Sequence, residues 1–344
     1  MTKELVARSI DQADFRDYEI PEVGSLDVQI RSQFGAMKHG TELAGFAGYS
    51  SARGRFDVEM GLFVDDESQG EQSSAKVVGN MIVGTVTAIG DEVNGFAVGD
   101  TVAAHAPFRE EQVVSSDRCW QIPVGVSWKS AVCLDPAQFA LGAVRDGNVR
   151  VGDAVAVFGL GAIGLMAIQI AKASGASPVV GIDLAENRRD VAIQCGADAV
   201  LDPASVDAGF ELKRMTSSRG VDVAIEYSGS AAAMQSALRG TAFGGTVVAG
   251  AFPPPYGTGL DFGAEAHMNL PNIVFSRAVS DPNRDHPRWD QRRIFEACWL
   301  LFENGSISGD LLVDPVVPFH ELDKAFARVV SSPEEGIKLG CIFD

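Results

Sequence analysis

The feature that most constrains this chain is the stretch from Ala154 to Asp183. An apolar run, Ala154 to Phe158, has the composition of a strand buried on both faces. It leads into Gly159-Leu160-Gly161-Ala162-Ile163-Gly164, then into an Ala-, Ile-, Leu- and Met-rich segment as far as Lys172, with Gly175 as a helix stop. A second apolar run, Val179 to Ile182, ends in Asp183. The spacing predicts strand, tight turn, helix and a second strand. The first glycine permits the turn, the second lets backbone approach a pyrophosphate, and the third lets the helix pack on the strand. The N-terminus of the helix offers free N–H groups and a partial positive charge to phosphates. Asp183 stands where a carboxylate accepts hydrogen bonds from an adenosine ribose. A carboxylate there repels a 2′-phosphate, so the pattern favours NAD over NADP. Arg188 and Arg189 follow closely and read as exposed charges on the next helix.

From Ala154 onward the pattern alternates regularly. Helical segments at 185–196, Glu211–Ser217 and Ala231–Arg239 separate strands at Ala199–Leu201, Val221–Tyr227, Gly245–Ala251 and Asn272–Ala278. This predicts an α/β doubly wound parallel sheet, which binds its ligand at the carboxyl ends of the strands. Ser228, Gly250 and Ala251 lie at those ends and join the cofactor-binding set. The first hundred residues alternate apolar and polar positions, as in VARSI, LDVQIRS and GTVTAIG, and read as a mainly β domain. Between them, residues 45–76 are rich in Gly, Ser, Arg and acids, an excursion that lines or covers a site or is a surface insertion. A helix is expected at Leu322–Val330 and a last strand at Ile337–Phe343.

Composition narrows the partners. A net charge of −18 argues against nucleic acid and anionic membrane, and it favours a neutral substrate over an anionic one. The five cysteines are scattered and form no CxxC, which points to a reducing compartment without a cysteine-rich zinc site. The charged start, MTKELVARSIDQADF, has no apolar core of a signal peptide, and no apolar run reaches membrane-spanning length. A cytoplasmic protein is expected.

Several segments together resemble the medium-chain dehydrogenase/reductase superfamily, of the alcohol and polyol dehydrogenase type. They are Gly84–Gly90 with the following Gly99-Asp100-Thr101-Val102, the fingerprint FGLGAIGLMAIQIAKASGA, and the closing PFHELDKAFARVVSSPEEGIKLGCIFD. The GTEL segment and FDVEMGLF look most like a branch that includes bacteriochlorophyllide dehydrogenases and sugar-alcohol relatives. The resemblance implies a Rossmann domain (136–284) inserted in a GroES-like catalytic domain (1–135 and 285–344). It further implies NAD(H)-dependent interconversion of a secondary alcohol, sugar or polyol-like, with its ketone, and a homodimer or homotetramer often joined through the sixth strand.

The metal is where the sequence departs from that pattern. Zinc-bearing members use a cysteine, a Gly-His-Glu segment and a later Cys or Glu. The matching positions here are His39, Gly79-Asn80-Met81 and Asp135 before Pro136. Only His39 and Asp135 are plausible ligands, and a catalytic zinc wants three, so zinc independence is expected. The four-cysteine structural lobe is also missing. Without zinc, His39 is the acid/base candidate, Thr41 the hydroxyl relay, Glu42 an orienting acid, and Asp135 a base or a ligand of sugar hydroxyls. His105 and Arg109 align loosely with the cleft. Each has a structural alternative: a loop histidine for His39, helix capping for Thr41 and Asp135. Trp289, in an Arg-rich link, reads as core, interface or cleft. The rival functions are a zinc-dependent polyol dehydrogenase, an enoyl or quinone reductase, and a non-catalytic NAD-binding protein.

Overall fold

The computed structural model describes every residue except Met1, Ile10, Asp11, His39, Thr41, 43–52, 66–74 and Asp344. The chain divides into two compact units, Met1–Pro123 with Val313–Asp344, and Val124–Leu312. The second unit therefore takes in residues on either side of the 136–284 segment expected from sequence, because the helices Leu134–Asp146 and Gln291–Glu303 pack on each other. Among the described residues, no helix is long and apolar enough to cross a membrane.

The first unit is mainly β. Its larger sheet runs Cys119–Gln121, Thr101–His105, Met81–Ile89, Asp27–Ala36, Lys338–Ile342, Val313–Pro318, with Glu111–Ser115 also paired to Asp27–Ala36. The closing segment completes it: Gly340 pairs with Ala36 and Ile342 with Phe34, antiparallel. The last two strands are parallel to each other, and helix Leu322–Ser331 connects them. One apolar cluster gathers Leu5, Phe108, Phe326, Leu339 and Phe343, and a second gathers Val28, Ile30, Ile82, Val86 and Val102. Within the 45–76 excursion, Arg55–Asp57 and Leu62–Val64 form a short antiparallel hairpin.

A smaller sheet pairs Thr2–Ser9 with Gln12–Tyr18. Its anchor is Glu4, only 2% exposed. Arg16 Nε donates to Glu4 Oε1 at 2.8 Å, and Arg109 Nε donates to Glu4 Oε2 at 2.7 Å. The Arg109 guanidinium also lies 4.0 Å from the centre of the Tyr18 ring. Arg109, read loosely as a cleft residue, is thus bound up in holding the sheet.

The second unit carries a six-stranded parallel sheet in the order Ala199–Leu201, Val179–Ile182, Val155–Phe158, Val221–Glu226, Thr241–Ala249, Asn272–Phe275. The strand order reverses between Val155–Phe158 and Val221–Glu226, the crevice where doubly wound sheets bind ligands. Alternation of side chains explains why the central strands read as continuously apolar. Ala156, Phe158, Val180, Ile182, Ala224 and Val247 share a cluster with Leu212, Met234 and Leu238 of the helices Ala208–Met215 and Ala231–Gly240. Their neighbours face the other way: Gly181 lies against Leu160 and Ile168, and Val223 and Val248 against Gly147. Both faces are covered, so neither face of these strands is polar.

Two helices start earlier than the apolar pattern suggests, which places their first residues at Glu211 and Ile294, and aspartates are the cause. Asp207 accepts from Phe210 N–H and starts its helix at Ala208, and Asp290 accepts from Arg293 N–H and starts its helix at Gln291.

Glu4 makes a measurable claim. Replacing it with alanine leaves two guanidinium groups without their acceptor, although Arg16, half exposed, re-enters solvent. We expect Glu4→Ala to cost roughly 2–3 kcal/mol, read as a lowered urea midpoint, with Glu4→Gln costing less because one acceptor survives.

Candidate functional site

The carboxyl end of the parallel sheet has the shape of a dinucleotide cradle. Gly159 has φ +87°, and a Cβ on it would lie 2.6 Å from Ser228 N. A Cβ on Gly164 would lie 1.9 Å from the Gly159 carbonyl oxygen, so helix and turn meet backbone to backbone. A Cβ on Gly161, by contrast, would meet nothing within 4 Å. Gly161 is the N-cap of helix Ala162–Ala173 and has no side chain to cap it. The first N–H groups of a helix have no intrahelical acceptor. Open space beside them suits a diphosphate, so these residues fit the cofactor the fingerprint implies.

Asp183 does more than the sequence suggests. Its Oδ2 accepts from Leu160 N–H at 2.7 Å and its Oδ1 from Ala185 N–H at 2.8 Å. The carboxylate therefore clamps the phosphate turn to the second strand. It keeps lone pairs for ribose hydroxyls, while the Leu160 N–H is already engaged. Arg188 and Arg189 lie on helix Glu186–Gln194 as expected, but both are half-buried. Arg189 Nη1 donates to the carbonyls of Asp183 and Leu184 at 2.8 and 2.7 Å.

The next two strand ends follow. Ser228 N–H donates to Glu226 Oε1 at 2.6 Å, and the N–H groups of Gly250 and Ala251 donate to the Glu226 carbonyl at 3.0 and 3.2 Å. The sequence reading named Ser228, Gly250 and Ala251 but not the buried glutamate that organises them. Its only sequence signal is an acid ending the largely apolar VDVAIE strand.

In the first unit, His39 and Thr41 lie outside the described residues. Glu42 is described. Its Oε1 accepts from Gly79 N–H at 2.8 Å, and its Oε2 is buried with no hydrogen-bond partner among the described residues. Burial pushes its carboxyl from the ordinary 4.5 up to about 7, against the opposing pull of the Gly79 N–H and the Lys338 ammonium. Lys338 is itself buried and donates to the Met37 carbonyl at 2.7 Å. That lysine interrupts the apolar GIKLGCIF and was also passed over in the sequence.

Asn80 presents a buried amide whose Nδ2 has no partner among the described residues. Met81 is fully buried, its backbone paired with Ala36 and His105 in the sheet. Among the described residues, no three His, Cys, Asp or Glu side chains gather as a metal site. His105 packs edge-on against Trp120, ring centres 5.2 Å apart.

Asp135 belongs to the second unit. It is buried in the first turn of helix Leu134–Asp146, where Gln138 Nε2 donates to its Oδ1 at 3.4 Å. The N-cap of that helix is Cys133, so Asp135 is not the cap. Trp289 is sandwiched by guanidinium groups, 3.5 Å from Arg145 and 4.3 Å from Arg293.

Glu42 predicts a pH effect on stability. The folded state holds its proton up to about pH 7, whereas an exposed glutamate releases it near 4.5. Between those values the folded protein binds more protons. Its contribution is full below about 4.5 and is lost as pH rises through about 7. Urea midpoints measured across that window should fall with pH, and Glu42→Gln should flatten the fall.

Comparison with known proteins places this geometry. Residues 162–279 match the family described as zinc-binding dehydrogenase. D-guloside 3-dehydrogenase of Escherichia coli (strain K12) is 45% identical over 349 residues, covering 99% of this chain and 100% of that protein. Sorbitol dehydrogenase of Bacillus subtilis (strain 168) is 29% identical over 229 residues, 58% of this chain and 63% of that one. Among solved structures, 2R,3R-butanediol dehydrogenase from Bacillus subtilis matches with a TM-score of 0.78 at 21% identity, over 99% of each chain. The chain belongs to the medium-chain dehydrogenase/reductase superfamily, as an alcohol dehydrogenase/reductase that interconverts a secondary alcohol and its ketone.

Proposed function

We propose that the protein oxidises a secondary ring hydroxyl of a neutral sugar or sugar glycoside, reversibly, with NAD and without a catalytic zinc. The observation that carries the cofactor assignment is the Asp183 carboxylate, clamped on Leu160 N–H beside the open space at Gly161. A fixed negative charge there accepts from a 2′-hydroxyl and opposes a 2′-phosphate. The sugar assignment draws on the D-guloside 3-dehydrogenase relative, similar over the full length of both chains.

Bound NAD would accept the hydride from the carbinol carbon. The remaining chemistry falls to this chain. Leu160, Ala162 and Ile163, with Gly159, Gly161 and Gly164, shape the diphosphate turn. Asp183 holds the ribose, Arg188 flanks it, and Ser228, Gly250 and Ala251 border the rest of the dinucleotide. In this reading His39 takes the hydroxyl proton, Thr41 relays it, and Glu42 orients the pair. Asp135 engages a neighbouring sugar hydroxyl. Should the protein hold zinc after all, His39 and Asp135 are its protein ligands.

The test is cofactor reduction by purified protein over hexosides, free sugars, polyols and simple alcohols, with NAD and NADP in parallel. Turnover should concentrate on glycosides or sugars, with NAD preferred by about tenfold or more and Asp183→Asn narrowing that margin. A preference for NADP, or turnover confined to enones or quinones, overturns the assignment. Protein purified without added metal should contain far less than stoichiometric zinc. Stoichiometric zinc, lost together with activity in His39→Ala, would establish the metal-dependent alternative.

We also propose a homodimer or homotetramer built on the edge strand Asn272–Phe275. Among the described residues, the strand ends the parallel sheet with one side unpaired. It displays Phe275 at 74% and Ile273 at 39% exposure, an edge that pairing with a second copy would cover. Light scattering should give a multiple of the 36.4 kDa chain mass, and Phe275→Glu should reduce it.

A further inference from the structure

Glu226 is the least expected residue of the second unit. It is 0% exposed, at the end of strand Val221–Glu226. Sheet register places it between Phe158 and Ala249, the last residues of the flanking strands. All three strand ends run directly into the turns that border the dinucleotide cradle. A carboxyl group in such a place is costly. Among the described residues no Lys, Arg or His pairs with it, and its Oε2 is buried without a hydrogen-bond partner. Desolvation accordingly pushes its carboxyl up from the ordinary range.

What Glu226 does hold is backbone. Its Oε1 accepts from Ser228 N–H at 2.6 Å, from Gly229 N–H at 2.9 Å and from the Ser228 hydroxyl at 2.5 Å. Its own carbonyl accepts from Gly250 and Ala251 N–H. The turn it holds is in contact with both neighbours. Ser228 N lies 2.6 Å from where a Gly159 Cβ would be, and a Gly229 Cβ would lie 3.6 Å from Ala251 Cβ and 3.5 Å from Pro253. One residue thus sets the separation between the phosphate turn and the turn at Gly250.

We propose that Glu226 is a positioning residue for cofactor binding, acting through the geometry of its acceptor oxygen rather than through its charge. If Oε1 moves, the Ser228–Gly229 turn moves with it, and Gly159 has no slack to absorb the shift. The inference rests on the reading that this unit holds a dinucleotide. Glutamine reproduces the acceptor at the same reach. Aspartate keeps the charge but falls one methylene short of the two N–H groups.

The experiment titrates NADH, and in parallel NADPH, into wild-type full-length protein and the variants Glu226→Gln, Glu226→Asp and Glu226→Ala. Steady-state KM and kcat are measured alongside. Glu226→Gln should stay within about twofold of wild type in dissociation constant. Glu226→Asp and Glu226→Ala should weaken binding by about tenfold or more, raising cofactor KM with kcat changed less than about threefold. If the alanine variant does not fold, the glutamine and aspartate pair decides. Aspartate matching wild type while glutamine fails would show that charge matters and overturn the proposal. So would equal behaviour of the two, whether both intact or both impaired. If wild type binds only NADPH, the NAD assignment fails while the ranking of variants still tests Glu226. If it binds neither dinucleotide, both fall.

Discussion

Helix Ala162–Ala173 meets the turn at Gly159 with no room for a side-chain carbon, and much of the second unit depends on that contact. Gly164 brings helix backbone against the Gly159 carbonyl, and Gly159 in turn touches Ser228 N. Close packing is usually achieved by interlocking side chains, which tolerate small adjustments. Here backbone meets backbone, and the adjustment available is far smaller. The clamps around it follow the same logic: Asp183 fixes Leu160 from one side, and Glu226 fixes Ser228 and Gly229 from the other. Asp183 engages both its oxygens, and Glu226 one of its two, with N–H groups of the protein, and together they hold a cradle whose middle, at Gly161, stays open.

The first unit treats its acids differently. Glu4 is buried against two guanidinium groups and serves the sheet. Glu42 accepts from the Gly79 N–H with the Lys338 ammonium nearby, and its burial leaves its proton exchangeable near neutrality. The contrast follows from the partners rather than from depth. Glu4 is held by two contacting guanidinium groups, whereas Glu42, desolvated by burial, becomes responsive to pH. Glu42 adjoins Gly79 and Asn80, where zinc-bearing relatives place a metal-ligand segment and this chain places an amide and a thioether.

Much of the parallel-sheet unit was legible because its signals are local. The runs at Val155–Phe158 and Val179–Ile182, the glycine spacing and Asp183 are contiguous in the chain, and the structure shows the expected strand, turn, helix and strand. Helix starts were read late at Ala208 and Gln291, because a capping aspartate stands three residues ahead of the N–H it accepts from and carries no apolar signature. Glu226 and Lys338 were missed for a different reason. Each is a charge in a largely apolar strand, and only the sheet register and the neighbouring turns give it partners. The role of Arg109 in the sheet carried no local signal, because its partner, Glu4, is far away in sequence. His39 and Thr41 rest on resemblance alone.

The pairing of Lys338–Ile342 with Asp27–Ala36 bears on the order in which the molecule can be assembled. The parallel-sheet unit is one continuous segment, and it holds all its own strands by the time Leu312 has left the ribosome. The β unit has no such autonomy. Its strand Asp27–Ala36 emerges early; Glu111–Ser115 covers Asp27–Arg31, but the end at Phe34–Ala36 must wait for Lys338–Ile342. Until then that edge offers unpaired backbone groups to any other extended chain nearby. The interval is filled by synthesis of a continuous, compact unit, so crowding of nascent chains bears more on the early-made half of this protein than on the later one.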